Sequence, residues 1–329
     1  MSKINKMSKK SKINKIFTII PNKEDISYFL RGGQSRDTNN QENIIREDVL
    51  TNILDIDEEY LNDPEFGILW TNIRDKFRAA LNTLCENENF DKITIEHKGG
   101  MKYNYDFIVQ FLGKLNEETN TRILIKEVKL EFKHNNTTIF ELPQFLELYD
   151  KDCKSTYGIC ETSYSEFFYE NYLDEYLKLE ENMLEPKPNK YDYLKNVYDI
   201  SYSHPFFKNM YENKKNKTKE KRELASLSIN DYLIKHISTF NFEPIIEKIR
   251  DQSDKIFLLW DCSNFHIQKI DVNLIQILKI KDISVIEVQK KMYFDLSLAN
   301  FDYDLRIRIN WGNNACVANP RWKFTFINK

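Results

Sequence analysis

The stretch whose reading decides the fold runs from Tyr105 to Lys133. It opens Tyr105-Asp106-Phe107-Ile108-Val109-Gln110-Phe111, crosses a polar gap from Gly113 to Asn120, and continues from Arg122 to Leu130-Glu131-Phe132-Lys133. An acid therefore starts a short apolar strand, and a longer strand ends in a Glu-x-Lys triplet. Side chains alternate along a strand, so Glu127, Lys129, Glu131 and Lys133 share one face while Val128, Leu130 and Phe132 take the other. Two carboxylates, Asp106 and Glu131, and the Lys133 ammonium on neighbouring strands form a set suited to a Mg2+ ion, with Mn2+ as substitute. Such a set can activate water and offset charge at phosphorus.

Four alternating charges on one face permit a second reading, Glu127 with Lys129. A plain hairpin with residues 113–120 as its loop pairs Asp106 with Glu127, whereas an asymmetric loop or bulge brings Glu131 there. Upstream, Ile93, Ile95 and His97 alternate with Thr94 and Glu96, and Lys98-Gly99-Gly100 turns the chain. Downstream, His134-Asn135-Asn136 turns it again, and the pattern predicts a short helix over 141–149 carrying Gln144. Helical spacing is present in Ile44, Ile45, Val49, Leu50, Ile53 and Leu54. A second helix is expected to start at Asp63-Pro64-Glu65, with Asp63 as cap and a stripe of Ile68, Leu69, Ile73, Phe77, Ala80, Leu81 and Leu84.

Helix, three strands and helix in this order resemble the central unit of the PD-(D/E)XK nucleases, the restriction-endonuclease-like superfamily. The block Lys129 to Leu146 also resembles endonuclease-like proteins of large DNA viruses. The resemblance favours Glu131/Lys133 over Glu127/Lys129, because the family sets its motif strand just before such a helix. It implies Asp106 and Glu131 as metal ligands, with the Phe132 carbonyl as a further oxygen. It also implies Lys133 as the group orienting the attacking water, and Gln144 as a support from the next helix. An acid of the preceding helix sometimes joins the family's site, and Glu65 and Glu86 are the candidates. Asn104-Tyr105 stands where the family often has a proline. A metal-dependent DNA endonuclease is the expected function. The alternative is a nuclease fold without catalysis, serving as a binding or structural module of a viral or DNA-repair complex.

The expected class is α/β, of the α+β kind: a restriction-endonuclease-like core with a mixed central sheet flanked by helices, and a mostly helical insertion. Residues 1–38 read as a basic flexible tail, with Lys3, Lys6, Lys9, Lys10, Lys12 and Lys15 ahead of the first acid, Glu24. Residues 39–160 read as the nuclease core. Residues 161–250 read as a helical, aromatic-rich insertion, whose tyrosines at helical spacing belong to a core more readily than to a base-stacking surface. Residues 251–329 read as a β-rich part completing the core sheet.

A net charge of −3 argues against a simple nucleic-acid coat, although a nuclease can carry a basic face offset by acids elsewhere. The five cysteines, Cys85, Cys153, Cys160, Cys262 and Cys316, show no metal-ligand spacing, so structural zinc is not expected and an intracellular, cytoplasmic setting is. For a viral protein that setting is the host cytoplasm or the virion. No segment reaches the ~20 apolar residues that span a bilayer. DNA is the expected partner, and a homodimer is left open as the means of cutting both strands. Nucleotide-binding and serine-hydrolase motifs are absent from the sequence.

Overall fold

The computed structural model describes residues 23–30, 36–55, 58–98, 105–142, 144–180, 185–212, 218–252, 255–271, 273, 278–288, 291–312 and 318–329. Among the described residues the chain is mixed α/β with two five-stranded sheets. It divides into two compact units, one of residues 1–128 with 262–265 and one of 129–261 with 266–329.

The first unit contains α1 (Lys23–Leu30), α2 (Arg36–Asp55), α3 (Glu58–Leu61), α4 (Gly67–Asn82), β1 (Lys92–His97), β2 (Phe107–Asn116) and the start of β3 (Thr121–His134). Of the expected tail, residues 1–22 lie outside the described residues; farther along it, α1 buries Ile26 and Phe29. The Phe29 ring meets Trp70 edge-on at 5.7 Å.

The start of α4 also differs from expectation. Asp63 Oδ1 accepts from the backbone N–H of Glu65 (2.9 Å) and Phe66 (2.6 Å), so it caps a turn, and the helix begins one turn later at Gly67. A Cβ at Gly67 would sit 2.4 Å from the Leu61 carbonyl oxygen, which is why glycine occupies this close approach. The buried stripe is Trp70, Ile73, Phe77, Ala80 and Leu81, while Ile68 is 87% exposed. Three-and-four spacing centred on Trp70 leaves Ile68 and Leu69 off that face.

Strands β1 and β2 pair antiparallel from Lys92↔Leu112 to His97↔Phe107. β2 runs on to Asn116, whose side chain accepts from the backbone of Glu118 and Thr119, and Asn120 takes a left-handed conformation (φ 50°) to close the turn. The loop is thus shorter than the 113–120 gap read from sequence. The Lys98-Gly99-Gly100 turn lies mostly outside the described residues.

In the second unit, the end of β3 pairs parallel with β5 (Ile256–Trp260), from Leu130↔Ile256 to His134↔Trp260. Every β5 residue is buried, as expected of a strand covered on both faces. β6 (Phe265–Lys269) is the last strand of this first sheet, whose order is β1-β2-β3-β5-β6, with β4 (Leu146–Tyr149) in the other sheet.

Within residues 251–329, β5 and β6 join the first sheet, whereas β7 (Lys279–Val288), β8 (Lys291–Ala299), β9 (Tyr303–Trp311) and β10 (Pro320–Asn328) do not extend it. With β4 they build the second sheet, in the order β4-β10-β9-β8-β7. The predicted helix over 141–149 is absent: a 3-10 turn at Ile139–Glu141 leads into β4. Phe145 N–H donates to the Phe324 carbonyl (2.8 Å), and Leu146–Tyr149 pair with Phe324–Arg321. A distant strand overrides the local helical pattern.

Between β4 and β5 lie α5 (Asp150–Ser155), α6 (Tyr164–Asn171), α7 (Leu173–Lys178), α8 (Lys190–Asn196), α9 (Pro205–Glu212), α10 (Lys219–His236) and α11 (Glu243–Arg250). Their aromatic side chains enter the core: Tyr164, Phe168, Tyr176, Tyr193 and Tyr232 are within 1% of full burial. Asp150, fully buried, accepts from the backbone N–H of Tyr164 and Ser165, from Trp322 Nε1 and from the hydroxyls of Ser165 and Tyr198. Burial pushes its carboxyl above the usual range against these donors.

Candidate active site

On β3 the predicted alternation is realised: Val128, Leu130 and Phe132 are buried, and Glu127 and Lys129 are exposed. Glu131 and Lys133 are half-buried. The two Glu-x-Lys triplets therefore differ in environment. Glu127 accepts from the Gln110 side chain at 2.8 Å. Gln110, rather than Asp106, thus faces Glu127, and the shorter turn accounts for the four-residue shift.

Glu131 is gripped by two ammoniums. Lys133 Nζ donates to Oε1 at 2.6 Å, and Lys255 Nζ lies 3.5 Å from Oε2. Glu131 and Lys255 are only 17% and 16% exposed. Burial alone would raise the Glu131 pKa, but the charges and hydrogen bonds of Lys133 and Lys255 more than offset it, and the carboxyl is held below its ordinary value. Lys255 was not legible as a site residue. Its side chain reaches Glu131 only because β5 lies parallel to β3, with Glu131 paired to Phe257.

Gln144 belongs to the segment entering β4, and no helix carries it. Its amide donates to Glu147 (2.8 Å) and its carbonyl accepts from Lys323 (2.5 Å), so its described partners are in the second sheet and not at Glu131. The role expected for it as a support from a following helix is corrected accordingly. His134 ends β3 half-buried.

Asp106, in the first unit, sits half-buried at the bend before β2, and its carbonyl accepts from the Lys98 N–H at 2.7 Å. Neighbouring His97 is clasped by α2: Nδ1 lies 2.8 Å from Asp48 and Nε2 2.8 Å from Glu47. Hydrogen bonds to Asp48 and then Glu47 raise its pKa from 6.5 to about 9 despite burial, so the ring is an imidazolium at neutral pH. Glu96 is exposed and pairs with Lys98. Glu65 and Glu86 are both exposed, and the acids that reach β1 are Glu47 and Asp48. The adjacent pair Glu47-Asp48, on a helix preceding a strand that ends in histidine, is the signal that sequence reading passed over.

Protein-family comparison, curated proteins and solved structures offer no match to this chain. The functional reading rests on its own chemistry.

Two hard oxygen donors are a modest set, and among the described residues no group of three or more His, Cys, Asp or Glu side chains is arranged to hold a metal. A magnesium ion commonly uses only one or two carboxylates and retains several waters, and a carboxylate such as Glu131 is a donor of the kind it takes. The two ammoniums on Glu131 would then have to yield part of its coordination. Cys85, Cys153, Cys160 and Cys262 are free thiols, and Cys316 lies outside the described residues. Among the described residues no helix is long and apolar enough to cross a membrane.

Proposed function

We propose that this chain is a metal-dependent DNA endonuclease of the PD-(D/E)XK kind, with Asp106 and Glu131 as its acids and Lys133 as its base-assisting amine. The observation that carries the reading is Glu131, kept anionic in a half-buried site by Lys133 and Lys255. An antiparallel meander, β1-β2-β3, followed by a strand parallel to β3 supports it as a mixed core sheet.

In this reading Asp106 and Glu131 supply oxygen ligands, and Lys133 orients the attacking water through its N–H donors and offsets charge on the phosphate. Lys255 positions Glu131 and keeps it ionised. A bound divalent ion supplies Lewis-acid stabilisation of the charge that develops on phosphate oxygens.

The test is nicking of plasmid and single-stranded DNA with and without magnesium. Replacement of Asp106 or Glu131 by Ala should lower the cleavage rate by at least about a hundredfold while leaving the fold intact. An Asp106→Ala protein that cuts as fast as its parent would sink the assignment.

A second reading, a nuclease fold without catalysis acting as a binding or structural module, is favoured by one observation. Both Glu131 oxygens already face an ammonium. Manganese titration of the folded protein separates the two: binding lost in Glu131→Ala supports catalysis, and no binding by the parent supports the module.

A further inference from the structure

The second sheet has a face the cleavage chemistry does not use. β9 buries Leu305, Ile307, Ile309 and Trp311, and β10 buries Trp322, Phe324 and Phe326. Alternation sends Arg306, Arg308, Arg321 and Lys323 to the opposite face. In the ladder Lys323 lies directly across from Arg308, and Arg321 across from Asn310. Cations facing one another across a strand pair repel.

Two acids partly answer this charge. Asp295 takes Arg306 in a two-pronged contact (2.8 and 2.7 Å), and Glu147 lies 3.3 Å from Arg321 and 3.5 Å from Lys323. Asp295 and Glu147 thus pair with three of these four cations. Among the described residues no carboxylate pairs with Arg308, and the Nε groups of Arg308 and Arg321 are buried without an acceptor. An unsatisfied guanidinium N–H is costly, and an oxyanion drawing these forks outward would relieve it.

The flanks are aromatic. Arg321 stacks over Tyr149 at 4.9 Å and Arg306 over Tyr293 at 5.3 Å. Arg306 and Arg321 keep 27% and 26% of their side-chain surface open to solvent. An Arg308 without a carboxylate partner, beside two guanidinium–tyrosine layers on a sheet, suits a strand of phosphates with splayed bases better than a rigid duplex.

We propose that this face of the second sheet binds single-stranded nucleic acid. Its phosphates are taken by Arg308, Arg321 and Lys323, and its bases stack on the Arg321–Tyr149 and Arg306–Tyr293 layers. This binding is independent of cleavage and requires no metal.

The experiment is fluorescence anisotropy of a labelled single-stranded oligonucleotide of about 15 nucleotides, the span of one such module, in buffer containing a chelator. The parent chain should bind in this metal-free buffer, where no cleavage is expected, which separates this proposal from the nuclease reading. Arg308→Gln and Lys323→Gln should each weaken binding several-fold and reduce the steepness of its salt dependence by about 0.7 for each phosphate no longer neutralised. Arg308→Lys should keep that salt dependence, and Lys219→Gln, at an exposed lysine of α10, should change nothing. Photocrosslinking of a bromouridine strand to the unmodified chain should label β4 and β8–β10, a readout that needs no variant to fold. The proposal is overturned if the double variant Arg308→Gln/Lys323→Gln folds and binds like the parent. It is equally overturned if crosslinks fall only elsewhere, or if duplex DNA or polyglutamate binds as tightly.

Discussion

Glu131 and Asp150 are two carboxylates of the same compact unit, held in opposite electrical states. Glu131 has two ammoniums, and they outweigh its burial so that it stays ionised. Asp150 is more deeply buried, has only neutral N–H and O–H donors, and is pushed toward its protonated form. Hydrogen-bond number does not separate them, since Asp150 has more. A nearby full positive charge does. An acid of the first kind stays charged beside its ammoniums, whereas one of the second kind ties a β-strand, a helix start and a tryptophan together.

The contrast can be broken most forcefully at Asp150. Asp150→Ala strands several buried donors, and urea denaturation should show a loss of about 3–5 kcal/mol. Its pH dependence should run opposite to that of Glu131. Asp150 binds its proton more tightly folded than unfolded, so its contribution is greatest below its ordinary value of 3.8 and declines as pH rises toward its raised value. Glu131 contributes above its ordinary 4.5, and that contribution is lost as pH falls through its lowered value.

His97 extends the comparison with the signs reversed, as a cation held by two acids. A rise from 6.5 to about 9 is discounted because Asp48 is 42% exposed, leaving an expected contribution of about 1–2 kcal/mol. It should be fully present below pH 6.5 and fade as pH rises through about 9, and His97→Ala should flatten that part of the stability–pH curve. Glu131→Gln should cost less, about 1 kcal/mol, and should remove the acid-side slope that Glu131 supplies. The smallest effect belongs to the exposed triplet: Glu127→Ala should leave the denaturation midpoint within about 0.5 kcal/mol of the parent. A larger loss there would erase the distinction between the two triplets.

What could be read from the chain depended on range. The alternation that buries Val128, Leu130 and Phe132 is written in consecutive residues and holds in the structure. The stripe of α4 was readable in its C-terminal half, but Trp70, which meets Phe29 and Tyr60, displaced Ile68 and Leu69 from it. Residues 146–149 show a helical spacing, yet they pair with β10, and nothing local announces that partner. The same holds for the site. Glu131 and Lys133 were legible as neighbours on one strand, whereas Lys255 arrives from β5 and the Glu47–Asp48 clasp from α2.

The parallel pairing of β3 with β5 has a consequence for the making of this protein. Everything from β4 through α11 lies between those two strands, and the Gln268 side chain that accepts from Ile139 N–H is 129 residues distant. At about 5–20 residues per second of synthesis, the far edge of β3 waits roughly ten seconds for its neighbour to leave the ribosome. During that interval its unsatisfied backbone is a template for other nascent chains. Charged side chains such as those of the triplets along its polar face oppose that pairing.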